Sequence, residues 1–130
     1  MGAWGAGSFD NDDALDWLDD LVDGASDAIR EALEATDAER VEVAEASSAL
    51  AAAEVVAAAA GRPAADLPGE VSEWLEAHGT GRAAALAPLA RRAVERVRRD
   101  SELKELWEEG DGDPTEWLAA VDDLLARLPG

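Results

Sequence analysis

Side chains able to hold a hard cation are crowded near the start of the chain. The stretch "SFDNDDAL" places side-chain oxygens at four successive positions, and oxygen is the ligand that Ca²⁺ and Mg²⁺ prefer. A further carboxylate interrupts the apolar stretch "ALAAAEVVAAAA". One interpretation is a divalent-cation site, serving an enzyme or a sensor, with four ligands: Asp10, Asp12, Asp13 and Glu54.

The cluster does not match a calcium loop of the EF-hand type. Such a loop needs oxygen ligands at alternate positions, a glycine at the sixth and a glutamate at the twelfth. Counted from Asp10, the fifth, sixth and twelfth positions hold Ala14, Leu15 and Leu21. The other interpretation is that Asp10 caps a first helix and that the next carboxylates are solvated near its positive end.

Glu54 is the one ionisable residue between Glu45 and Gly61. A carboxylate buried in an apolar helix must be paired or hydrogen-bonded, because an unpaired charge is costly to bury. We expect a structural role, in which Glu54 anchors a loop or pairs with an arginine. The alternative is a role as a metal ligand or a general base.

Other catalytic constellations are missing from the sequence. The chain has no cysteine, which excludes a disulfide, a thiol nucleophile and a zinc–thiolate site. His78 is the single histidine, and no serine lies in a nucleophile motif that could complete a catalytic triad with it. We therefore interpret His78 as a helix-end residue. No phosphate-binding glycine motif is present.

The basic side chains are concentrated in residues 82–99, which hold six arginines. The simplest interpretation is charge complementarity within the fold, with the last arginines favoured by a helix C-terminus. A nucleic-acid site is the alternative. It is disfavoured by the net charge of −19 and by the absence of aromatic residues from this segment.

The length and charge limit the classes of protein and partner. At 130 residues the chain is most simply one domain. Its negative field repels nucleic acids and anionic membranes and attracts cations and basic proteins. We find no signal-peptide pattern, and the alanine-rich run is too short to span a membrane, so the expected location is the cytoplasm.

Apolar residues recur every three or four positions, which predicts an all-α domain of about six or seven helices. The alanine-rich segment at about 44–60 is apolar on all sides, so it should be a buried central helix. Its start is ambiguous, because "TDAE" at 36–39 is also a capping-box pattern. The other predicted helices cover about 12–23, 26–35, 67–78, a long segment through 86–97, a short segment after Ser101, and a last helix from Pro114.

Three stretches resemble a known family: "WGAGSFDNDDALDWLDDL" at 4–21, "ALAAAEVVAAAAGRP" at 49–63 and "SELKELWEE" at 101–109. They are similar to the bacterial family known as domain of unknown function 4259 (DUF4259), over almost the whole chain. The resemblance implies a helical fold and implies no activity.

The first two of these stretches contain the two features that are hardest to explain separately. An aromatic, glycine-rich terminus should be poorly ordered, and a lone carboxylate in an apolar helix needs donors. We therefore predict that residues 1–11 form a clasp on the central helix, with aromatic side chains in the core and backbone N–H groups near the carboxylate. The residues of this clasp, or of a binding site at the same place, are Trp4, Phe9, Asp10, Asn11 and Glu54.

Three functions remain open. The first is a non-enzymatic acidic interaction protein, such as an inhibitor, an immunity factor or an adaptor, that binds a basic protein and needs no cofactor. The second is an enzyme or sensor dependent on a divalent cation at the Asp10–Asp13 cluster with Glu54. The third is a structural domain adapted to high salt, whose charge serves only solvation.

Overall fold

The computed structural model describes residues 9, 12–23, 27–65, 67–109 and 114–129. These residues form a compact all-α domain, and no strand occurs among them. Seven of the helices have seven or more residues, and α5 is a single turn. In chain order the helices are α1 (Asp12–Val22), α2 (Ala28–Glu34), a 3₁₀ turn (Ala35–Asp37), α3 (Val43–Ala59), α4 (Gly69–His78), α5 (Gly81–Ala84), α6 (Ala87–Arg99), α7 (Glu102–Glu109) and α8 (Pro114–Arg127).

Helix α3 is the centre of the domain, as the sequence predicts. All residues from Ala49 to Ala57 are buried, and α3 contacts each of the seven other α-helices described. Alanine has the highest helix propensity, and its small side chain lets neighbouring helices approach closely on every side. None of the described helices combines the length and hydropathy needed to cross a bilayer.

The ends of α3 follow local capping chemistry. The later of the two expected starts is correct, because Glu42 and Glu45 form a reciprocal capping box. The Glu42 N–H donates to Glu45 Oε1 over 3.1 Å. At the other end Gly61 adopts a φ of +90°, and the Arg62 N–H donates to the Ala57 carbonyl over 2.9 Å, which is the Schellman pattern of a helix end.

The starts of α4, α7 and α8 can be compared with the boundaries predicted from the sequence. Helix α4 begins at Gly69 rather than near Leu67, since Pro68 disfavours a helical conformation in the residue before it. Ser101 caps α7 as expected, accepting a hydrogen bond from the Lys104 N–H over 3.1 Å. Helix α8 begins at Pro114 as expected.

Apolar spacing predicts that the tryptophans are mostly buried, and the four described ones are less uniformly so. Trp17 and Trp117 lie in the core, whereas Trp74 and Trp107 are half-buried at its edge.

The spacing also predicts that Val22 is buried together with Leu18 and Leu21 of α1, but the Val22 side chain is 49% exposed. Val22 lies about 100° around the helix from the buried Leu21, which places it outside the buried face.

Replacing Trp117 with alanine should lower the free energy of unfolding by about 3–5 kcal/mol, since it removes a large side chain from the core. Trp74→Ala is the matched control, and its half-buried ring should cost at most about half as much. Urea denaturation monitored by circular dichroism measures both values. Equal losses would contradict the packing described for α8.

Candidate functional site

The buried carboxylate of α3 is paired with an arginine of the last helix. Arg127 Nη1 donates to Glu54 Oε1 over 2.8 Å, and Nη2 donates to Oε2 over 3.1 Å. The side chains of Glu54 and Arg127 are 5% and 16% exposed. The guanidinium thus meets the carboxylate with two parallel hydrogen bonds, the geometry that makes such pairs strong. The expectation that Glu54 pairs with an arginine is confirmed.

The Glu54–Arg127 pair connects helix α8 to helix α3. The pKa of Arg127 is raised, chiefly because its guanidinium donates hydrogen bonds to Glu54, while burial acts in the opposite direction. Arg127 also bonds Asp123 Oδ2 over 2.9 Å and the Arg62 carbonyl over 3.3 Å. The arginine therefore joins α8 to α3 and to the residue after the C-terminal glycine of α3.

The predicted clasp is described only in part. Phe9 is half-buried and packs against the core, in agreement with its expected place. Trp4, Asp10 and Asn11 lie outside the described residues. The same holds for Asp66 and Asp113, which the sequence favours as the caps of α4 and α8. The clasp therefore stays a prediction.

The predicted cation site is also described in part. Asp12 and Asp13 lie in the first turn of α1, and both oxygens of Glu54 accept hydrogen bonds from Arg127. Within the described ranges, no three His, Cys, Asp or Glu side chains are grouped so as to hold a metal ion. Asp10 is outside those ranges, so the cation site stays a prediction without support from the residues described.

His78 lies at the last position of α4, as the sequence predicts. Its exposed ring stacks on Trp74, with ring centroids 4.7 Å apart and an interplanar angle of 20°. Nδ1 lies 3.0 Å from the Trp74 carbonyl oxygen. These contacts make His78 part of a helix end.

Most of the basic residues of α6 and α8 bond to groups elsewhere in the fold. Arg92 pairs with Asp37, and Arg98 pairs with Asp122. Arg91 Nη1 donates to the carbonyls of Leu125 and Leu128 at the end of α8. The basic segment thus serves internal charge complementarity, although its partners are not the carboxylates of α1. Ion pairs between described residues are formed by Arg40, Arg92, Arg96, Arg98, Lys104 and Arg127.

Helices α1 and α2 carry the opposite arrangement, which we call the acidic face. None of its nine carboxylates forms an ion pair with a described base, and all except the half-buried Asp13 are exposed. Arg30 is the single base on these two helices. The face consists of Asp12, Asp13, Asp16, Asp19, Asp20, Asp23, Asp27, Glu31 and Glu34.

An open groove of about 590 Å³ lies where α1, α2 and α3 meet. Its wall includes Trp17, whose indole Nε1 donates to the Ala28 carbonyl over 3.2 Å and so ties α1 to α2. The other apolar lining residues are alanines, and four carboxylates also line the groove. We call this the acidic groove; it is lined by Trp17, Asp20, Asp23, Ala28, Glu31, Ala32, Ala35, Ala44, Glu45 and Ser48.

Sequence reasoning missed this groove. The positions 28, 32 and 35 have the spacing of one helix face, which the pattern assigns to the core. Ala28 and Ala32 are indeed buried, but Ala35 is half-buried and Ala44 is exposed. The sequence did contain one sign of the groove, because carboxylates rather than aliphatic residues flank these alanines.

The structure describes an all-α protein whose groove is lined by four carboxylates, and its described residues include no group of three His, Cys, Asp or Glu side chains that could hold a metal ion. The chain belongs to the family described as domain of unknown function (DUF4259), whose model matches residues 2–120. This confirms the resemblance seen in the sequence. Neither a curated protein nor a solved structure matches the chain.

Arg127→Gln should destabilise the fold by about 3–5 kcal/mol, because it removes the guanidinium that pairs with the buried Glu54 carboxylate. Glu54→Gln should cost less, since Asp123 still pairs with Arg127. The double variant should lose less than the sum of the two single losses, since the residues are in contact. Chemical denaturation of the four proteins gives the coupling free energy.

Asp122→Asn is the matched control for this cycle. It breaks another arginine–carboxylate pair, but both side chains of that pair are exposed, so the loss should stay below about 1 kcal/mol. If the buried and the exposed pair lose equal amounts, Glu54 and Arg127 do not tie α3 to α8.

Hydrogen exchange tests the clasp. If the N–H groups of residues 4–9 lie against Glu54, they should exchange slowly, and Glu54→Ala should accelerate them. Arg127→Gln controls for the loss of the ion pair itself and should accelerate them less. Fast exchange at residues 4–9 in the unmodified protein would exclude the clasp.

Proposed function

We propose that this protein is a non-enzymatic interaction protein, of the inhibitor, immunity or adaptor kind, that binds a basic protein through its acidic face. The observation that carries the proposal is the separation of charge. The carboxylates of α1 and α2 have no described basic partner, while Arg92, Arg98 and Arg127 pair with Asp37, Asp122 and Glu54.

The separation of charge affects how the protein associates with a partner. Helix α1 has 11 residues and carries five aspartates, so these charges lie within about 16 Å along its axis. Charges spaced within roughly one or two Debye lengths act together on an approaching partner at physiological salt. Such a field accelerates encounter with a basic surface and repels other acidic proteins and nucleic acids.

A salt-controlled pull-down with the full chain tests this function. The protein should recover one discrete basic protein from its host at about 0.15 M salt and release it by about 0.5 M. The variant Asp19→Asn, Asp20→Asn, Asp23→Asn should lose most of that recovery. A parallel test with duplex DNA should detect no binding at the lower salt, for the same electrostatic reason.

The matched control is Glu105→Gln, Glu109→Gln, Glu116→Gln, which removes three exposed carboxylates from α7 and α8 and gives the same net charge. It should retain the partner. Equal loss in the two variants, or recovery of no discrete protein, would contradict the proposal. Binding of Ca²⁺, Mg²⁺ or Mn²⁺ that disappears in Asp12→Asn would instead favour the cation-dependent function.

A further inference from the structure

We infer that the acidic groove is the docking site and that its occupant is a basic amphipathic helix of the partner protein. This inference rests on the proposed function and adds the site and the shape of the partner. The shape of the groove, its charge and the chemistry of the possible occupants each support this docking site.

The groove is open to solvent where α1, α2 and α3 meet, although two of its alanines, Ala28 and Ala32, are largely buried. On α2 and the turn after it, positions 28, 31, 32 and 35 line the groove, which is the spacing of one helical side. Alanine at three of these positions leaves room for another helix to approach closely. Trp17 also lines the wall, although its side chain is largely buried in the core.

The lining is charged with one sign. Asp20, Asp23, Glu31 and Glu45 line the groove, and no base among the described residues does so. Asp20, Asp23 and Glu31 are exposed and have no described ion-pair partner, whereas Glu45 is half-buried and caps α3. An occupant that places aliphatic side chains on the alanine floor and Lys or Arg at its edges would complement both features.

A helix fits this site better than an extended peptide. Extended peptides dock by adding a strand to the edge of a sheet, and the described part of the chain has no strand. An amphipathic helix docks through apolar residues at every third or fourth position and needs only a groove between helices. A groove of about 590 Å³ accommodates a few such side chains rather than a whole helix, which would lie across it with its polar face in water.

A second copy of this chain is a poor occupant. Each copy carries a net charge of −19, so two acidic faces repel one another. The one strongly basic helix, α6, already buries Ala90, Ala93 and Val94 within the core of its own chain. It therefore has no free apolar face to offer a neighbour.

The probe for this inference is a synthetic Leu/Lys peptide of roughly 16 residues that forms an amphipathic helix of four to five turns. Its control is a scrambled peptide of the same composition and charge. Isothermal titration calorimetry with the full chain should show tighter binding of the amphipathic peptide by at least about tenfold. Circular dichroism should show that the peptide becomes helical when bound.

Two pairs of variants locate the binding. Asp20→Asn, Asp23→Asn, Glu31→Gln removes three exposed groove charges, and Asp16→Asn, Asp19→Asn, Glu34→Gln removes three exposed charges from the same helices outside the groove. Ala44→Trp fills the groove from an exposed position, and Ala119→Trp adds the same bulk on the exposed side of α8. Both groove variants should weaken peptide binding at least about tenfold, and both controls no more than about threefold.

The outcomes separate this inference from the proposed function. If both peptides bind equally and both charge variants weaken them equally, the groove is not the site, although the acidic face still attracts basic proteins. If neither peptide binds, both the groove and the electrostatic basis of the proposed function are wrong. Competition by spermine at equal charge concentration would show that the groove takes a small organic cation, which also overturns the inference.

Discussion

The fold depends on enclosing the middle of one helix. Residues Ala49 to Ala57 of α3 are buried on every side, so each neighbour that covers them contributes to the same core. The one ionisable side chain among them, Glu54, requires a counterion where α3 meets α8. Arg127 supplies this counterion and so fixes a contact of α8 with α3.

The use of arginines within the fold also determines the distribution of charge on the surface. Arginines of α6 and α8 donate hydrogen bonds to carbonyl oxygens and carboxylates of other elements, as Arg91 does at the end of α8 and Arg96 at the 3₁₀ turn. Few bases are left to neutralise α1 and α2, which face solvent with their carboxylates exposed. The binding function that we propose is thus a consequence of where the stabilising arginines are used.

Much of the fold could be predicted from local pattern, whereas the site could not. Alanine content and apolar spacing predict α3 and its neighbours, and Gly61, Ser101 and Pro114 mark helix ends by local chemistry. The need of Glu54 for a partner follows from its apolar surroundings, but Arg127 is 73 residues away and no local pattern links the two. The groove depends on how three helices are placed around one another, which periodicity within each helix does not determine.

Site-specific photo-crosslinking in the host tests the central claim most directly. A photoreactive amino acid at Ser48, a half-buried residue of the groove, should crosslink to one protein, and the crosslinked segment should be a basic amphipathic helix. The same amino acid at Ala119 on α8 should give no such product. Crosslinks of equal yield from both positions, or a crosslinked segment that is neutral or acidic, would contradict the account.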